Sequence, residues 1–145
     1  MKRLLIIIIS ICTSFVIGQT YCAGDQISNS DLNTQYEVCY GSGDYEAGDS
    51  WSLADYDGSQ NGGDYHVIFM DMSATWWGTC YSSISSMDAH EAYWAEQNPA
   101  VVFIMGLQDL DQPYSCEDWG DQGVSGAPVI VEHDGNSFNL FHDSW

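Results

Sequence analysis

The sequence predicts an α/β domain built on a mixed sheet, and three observations carry that expectation. Two nearly continuous apolar runs, residues 66–72 and 100–107, flank a segment of helical character, residues 79–97. Strands separated by a helix favour parallel pairing with a right-handed crossover. A third apolar run, Ala127 to Val131, leads into the turn residues His133-Asp134-Gly135-Asn136 and a further strand, Ser137 to His142, which closes the sheet with antiparallel strands.

In chain order, Lys2 and Arg3 precede an apolar run from Leu4 to Ile11, broken only by Ser10, and the small-residue stretch Val16-Ile17-Gly18. This is the layout of a secretory signal peptide, with cleavage expected near Gly18–Gln19. The run is short for a membrane span. A lipoprotein signal fits poorly, since Cys22 follows Thr20-Tyr21 and not a small apolar pair. The expected location is therefore periplasmic or secreted, where disulfides persist. Residues 19–50, polar and rich in turns such as Gly41-Ser42-Gly43, read as an N-terminal extension with little regular structure. The folded domain is expected over 51–145.

Within that domain, Trp51 to Ala54 is a candidate short strand, and Asp55-Tyr56-Asp57-Gly58 has turn chemistry. His66 to Met72 carries β-branched and aromatic residues, is nearly continuously apolar and reads as a buried central strand. In the helix over 79–97, Ile84, Met87, Glu91 and Trp94 share one face, and Pro99 lies just past its end. Ala100 to Leu107 is the second core strand, and residues 115–122 form a short helix.

Lys2 and Arg3 are the only basic side chains apart from four His, so cleavage lowers the formal charge from −19 to −21. Such a surface has no cation to displace phosphate counterions, which excludes nucleic acid as a partner. It also disfavours anionic membranes. Hydrophobic residues at 45% argue against disorder despite the charge.

The chemistry concentrates where the first core strand meets the helix, in Ala74-Thr75-Trp76-Trp77-Gly78-Thr79-Cys80. Reactive groups in open α/β sheets gather at the carboxyl ends of strands. A Cys in the first helical turn feels the positive end of the helix dipole. The opposing reading of Cys80 is a buried, inert thiol.

Three segments together resemble the thioredoxin superfamily, especially its exported TlpA-like and AhpC/TSA-like branch. They are Leu53-x-Asp55-x-Asp57-Gly58, the run Val67 to Trp76 leading into Gly78-x-Cys80, and Gly123 to Val131 with its Asp134-Gly135 turn. The resemblance covers about residues 48–142 and implies a thioredoxin-like α/β sandwich. It implies that Pro128, after Ala127, is the family's cis-proline beside the substrate cleft, with Trp76 partly exposed there. By motif position Trp77 stands at the attacking Cys and Cys80 at the resolving Cys. Asp71, a carboxylate inside an apolar strand, takes the place of an acid that assists proton transfer to the resolving Cys. The other reading of Asp71 is an acid at a strand edge. The partner implied is a disulfide-bearing protein or redox partner, and no cofactor or metal is implied. Relatives follow the last strand with a helix; the sequence given stops at Trp145, so either residues 19–50 or a partner is expected to cover that sheet face, or the sequence is a fragment.

Indole is no nucleophile in thiol–disulfide exchange, so residue 77 opens four readings. First, a selenocysteine codon translated by another code appears as Trp, and position 77 is where a selenol would act. Second, Cys80 works with Cys116, a peroxiredoxin-like arrangement; the Thr or Ser expected at 77 and the Arg it needs are both missing. Third, the domain binds peptide without turnover through Trp76, Trp77 and Trp119, with Trp119 favoured as core. Fourth, Asp55, Asp57, Asn61 and Asp64 hold calcium, though a solvated acidic turn explains them better. His66, His90, His133 and His142 lack zinc-like spacing with Cys. Of five Cys, Cys12 lies in the signal, and the remaining four allow three pairings. Cys22 and Cys39 fall outside the matching region and are expected to be a structural pair.

Overall fold

The structure, a computed structural model, describes residues 21, 23–123 and 129–133. The signal-peptide segment, Cys22, Ala127, Pro128 and the strand expected over 137–142 lie outside the described residues. The elements are α1 (Asn29–Leu32), β1 (Tyr36–Tyr40), β2 (Ser50–Trp51), a 3-10 turn (Leu53–Tyr56), β3 (Val67–Ala74), α2 (Gly78–Gln97), β4 (Val101–Gln108), α3 (Cys116–Gly120) and β5 (Val129–His133). They form one five-stranded sheet in the order β2-β1-β5-β4-β3. β3, β4 and β5 run parallel, with Val67 beside Val101 and Ile104 beside Val129. β1 is antiparallel to both β5 and β2. The α/β class and the mixed sheet therefore stand.

Local chemistry explains the helix ends. Asn98 closes α2 by donating its backbone N–H to the Trp94 carbonyl, and Pro99 forbids continuation. Ser115 and Asp118 form a reciprocal capping box at the start of α3.

The two faces of the sheet bury different clusters. On one, Ile104 packs with Tyr36, Val38, Trp51 and Leu53. On the other, Met105 and Leu107 pack with Ile84 of α2 and Trp119 of α3. Neighbouring strand residues point to opposite faces, so β4 serves both cores. Trp119 is fully buried, its Nε1–H donated to the Met105 sulfur at 2.7 Å.

Three expectations are corrected here. Residues 19–50 are not a loose extension, because β1 sits inside the sheet and supplies Tyr36 and Val38 to the core. The alternation Tyr36-x-Val38-x-Tyr40 was hidden by the turn-rich residues around it. Among the described residues β3 lies at the edge of the sheet, not at its centre, with Val67 at 65% and Phe69 at 51% exposure. A continuous apolar run cannot distinguish a strand flanked on both sides from one flanked on one side. On α2, the buried positions are Ile84 and Asp88, while Trp94 is 39% exposed.

Glu91, one turn beyond Asp88, is half-buried, and burial first and then the Asp88 charge push its carboxyl from 4.5 up to about 7. Asp88 lies one turn before it on the same helix, and Asp44, Asp55, His66, Tyr45 and Tyr56 line a cavity that Glu91 also borders. A raised carboxyl pKa means the folded state holds the extra proton between pH 4.5 and about 7, so stability falls as pH rises through that window. Glu91→Gln is therefore expected to be more stable than the parent at pH 8 by about 1–2 kcal/mol after discounting for exposure, and equal to it at pH 4. Urea titrations of both proteins at the two pH values check this; an equal difference at both would refute it.

Candidate functional site

β3 ends in Ala74, after which Thr75, Trp76 and Trp77 turn the chain into α2. Thr75 is fully buried and ties two loops together. Its hydroxyl donates to the Asp109 carbonyl and accepts the Gln112 N–H at 3.2 Å, while its own N–H reaches the Gln108 carbonyl at 3.1 Å. The loop after β4 is thus fastened under the loop after β3. That second loop bends sharply, with Asp109 and Asp111 both at positive φ (52° and 62°). Asp and Asn tolerate this region better than other non-glycine residues, which suits both positions.

Trp76 and Trp77 lie on the surface at 59% and 52% exposure. Their rings stack with centroids 6.1 Å apart and planes 15° from parallel. The Trp76 Nε1–H donates to the Asp109 carboxylate at 2.9 Å, which orients the outer indole. Trp77 is the N-cap residue of α2 and offers no side-chain acceptor to the helix's first amides.

Cys80 is the third residue of α2, partly buried, and the one free cysteine among the described residues. It packs against the cluster of Ile84, Met105, Leu107 and Trp119. Tyr81 beside it stacks on Tyr114 at 4.0 Å with rings nearly parallel, and meets Trp119 edge-on at 5.3 Å. The first turn of α2 is therefore held against α3 by aromatic contact.

Cys116 does not partner Cys80. It is bonded to Cys39 across 6.1 Å between Cα atoms, which joins the start of α3 to β1. This corrects both the expected Cys22–Cys39 pair and the Cys80–Cys116 pair: the Sγ atoms of Cys39 and Cys116 are occupied by each other. Sequence spacing hid the pairing because it depends on β1 entering the sheet beside α3. Gly120 fits the same junction. A Cβ there would lie 2.2 Å from the Tyr40 ring, so Gly120→Ala is expected to force α3 off β1 and to lower the melting temperature by several degrees, as differential scanning calorimetry would show.

Asp71 stands beside Met105 in the β3–β4 register, so its side chain is on the face that α2 covers. Burial raises its carboxyl pKa, opposed by a 3.4 Å hydrogen bond from Ser73. Trp119 is core, as expected. Among the described residues no group of three or more His, Cys, Asp or Glu is arranged to hold a metal ion. The loop considered for calcium satisfies itself: Asn61 Nδ2 donates to the Asp55 and Asp64 carbonyls at 2.9 and 2.7 Å, and Asp57 accepts the Ser59 N–H at 3.0 Å.

The site thus joins an oriented indole pair to a free thiol one helical turn inside. Thr75 and Asp109 were missed from the sequence, where an Asp-Leu-Asp-Gln-Pro turn was the only hint. Ala127 and Pro128, assigned to substrate binding, lie outside the described residues. No protein-family model matches the chain, and no curated protein or solved structure matches it either.

Proposed function

We propose that this chain is a thioredoxin-like domain of an exported compartment that acts in thiol–disulfide exchange, with position 77 facing the partner and Cys80 supplying the exchange thiol. One observation carries the reading: Cys80 is a free thiol in the first turn of a helix that starts at the carboxyl end of a parallel strand, directly behind an exposed residue 77. In the reaction, the Cys80 thiolate attacks a disulfide of the partner, forming a mixed disulfide and releasing one partner thiolate. Asp71, whose carboxyl pKa burial raises and which shares the sheet face that α2 covers, is the acid we assign to protonate a departing thiolate. With Trp at 77, a second thiol from outside the chain must displace the mixed disulfide. With selenocysteine or Cys at 77, that residue attacks first and Cys80 closes the cycle from within.

Two measurements test this. Mass analysis of the native peptide spanning 74–80 identifies residue 77. Incubation with a mixed-disulfide probe is expected to label Cys80 and to leave Cys80→Ser unlabelled. A Cys80 that reacts only after denaturation would end the exchange reading.

The stacked Trp76–Trp77 pair favours a second reading, a binding domain without turnover. Exposed indoles are costly unless they meet a partner, and they recognise apolar or planar groups. Trp76→Ala is expected to weaken capture of an extended, disulfide-bearing peptide by about tenfold, measured by fluorescence titration, since removal of a central aromatic anchor costs about 1–2 kcal/mol or more.

A further inference from the structure

Asp109 is the first residue after β4, and its surroundings constrain it in three ways. Its backbone is left-handed, at φ 52°, a conformation that Gly and Asn adopt at least as readily as Asp. Its carbonyl accepts the hydroxyl of the buried Thr75, which fixes the backbone in place. Its carboxylate accepts the Trp76 Nε1–H at 2.9 Å. Asn would meet all of these requirements, since its side-chain carbonyl can accept the same indole proton. What the carboxylate adds is a negative charge at the rim of an exposed aromatic ring. Among the described residues no hydrogen bond reaches its other oxygen. Asp111 places a second, exposed carboxylate on the same turn.

The geometry points to Asp109 as the residue that sets partner specificity: the site takes a peptide segment with an Arg beside its disulfide, the guanidinium lying on the Trp76 ring and bonding to the Asp109 carboxylate. The inference rests on the reading of Trp76 as part of the surface that meets the partner. Indole attracts cations more strongly than the other aromatic rings, and Arg lies flat on such a ring with its N–H groups still free at the edge. Here the acceptor stands at that edge, tied to Trp76 itself, so ring and carboxylate are in place before the partner arrives. Trp77 stacks on Trp76 at 15° from parallel, and Trp76 is still 59% exposed. Lys fits less well, because a compact ammonium cannot cover the ring and reach the carboxylate in fork geometry at once. A purely apolar segment fits worse still, since it would strip water from the Asp109 carboxylate and return no hydrogen bond. The chain supplies no competing side chain of its own, because its only Lys and Arg are residues 2 and 3.

Fluorescence titration of the full chain with two versions of one cystine-bearing peptide, identical except for Arg or citrulline beside the disulfide, tests the inference. Citrulline keeps the shape of Arg and loses its charge. The parent is expected to bind the Arg peptide about tenfold more tightly, the combined effect of an exposed cation–π contact and an exposed ion pair. Asp109→Asn suits the left-handed backbone and keeps an acceptor for Trp76, and it is expected to erase that preference. Asp109→Gly suits the backbone but releases the indole, and it is expected to weaken capture of both peptides. Glu96→Gln, the same charge change on an exposed residue at the far end of α2, should keep the tenfold preference. Equal affinity of the parent for the two peptides, or a preference that survives in Asp109→Asn, would overturn the inference. Equal loss in Glu96→Gln would overturn it in favour of diffuse attraction to an acidic surface. Failure of the underlying reading looks different: Trp76→Ala would then bind the citrulline peptide as tightly as the parent does, which removes Trp76 from the partner surface and the inference with it.

Discussion

Trp77→Cys is expected to convert a slow, one-thiol protein into a cycling disulfide reductase, raising the rate of model-disulfide reduction by about a hundredfold or more. Residue 77 is the N-cap of α2 and Cys80 its third residue, a spacing that sets two side chains on one helix face. A Cys pair there can close a disulfide if the Cα atoms fall within about 4.4–6.8 Å. The gain follows from proximity: an internal resolving thiol acts at an effective concentration far above the millimolar thiol of an assay, and well-placed intramolecular groups reach about 10⁵ M or higher. Turnover of a fluorescent disulfide substrate by parent, Trp77→Cys and Trp77→Cys/Cys80→Ser proteins measures it. The double variant should return to the parent's rate. A folded Trp77→Cys protein with no gain would show that positions 77 and 80 do not form a dithiol site, and the thioredoxin-like proposal would fall with it.

Loss of the Cys39–Cys116 bond is expected to be the most damaging single structural change. The bond closes a loop of 77 residues, and the chain-entropy argument gives about 4.5 kcal/mol for a loop of that size. A domain of this length has a total stability of about 5–15 kcal/mol, so the loss is a large share of it. The bond also keeps α3 against β1, where Gly120 meets Tyr40 and the Tyr40 hydroxyl donates to Asp121 at 2.9 Å. Cys39→Ser/Cys116→Ser should shift the urea midpoint sharply downward and loosen the Tyr81, Tyr114 and Trp119 cluster, visible as a change in near-ultraviolet circular dichroism. A loss below about 1 kcal/mol would mean that the entropic argument does not govern this protein. Reductant sensitivity of the parent gives the same answer without mutation, provided Cys80 is first blocked.

Much of the fold was legible in the chain. β3, α2, β4 and α3 fall within a residue or two of their expected limits, because continuous apolar runs, Pro99 and the Ser115–Asp118 pair are local signals. The position of Cys80 in the first turn of α2 was legible for the same reason. β1 was not, since a five-residue alternation among glycines and acids carries little weight against its surroundings. The role of Thr75 was not legible either: a hydroxyl that joins two loops has meaning only once Asp109 and Gln112 are beside it.

The sequence by itself determined the α/β class, the placement of Cys80 at a strand-to-helix junction, and an acidic character with no Lys or Arg past residue 3. These follow from periodicity, residue chemistry and charge, all of which act over a few residues or sum over the whole chain. The tertiary structure decided which cysteines pair, which strand lies at the edge, and where carboxylates from two layers come to line one cavity. Each of these depends on segments far apart in sequence packing side by side. That choice is made by the shared burial of two cores on β4, and no local pattern encodes it.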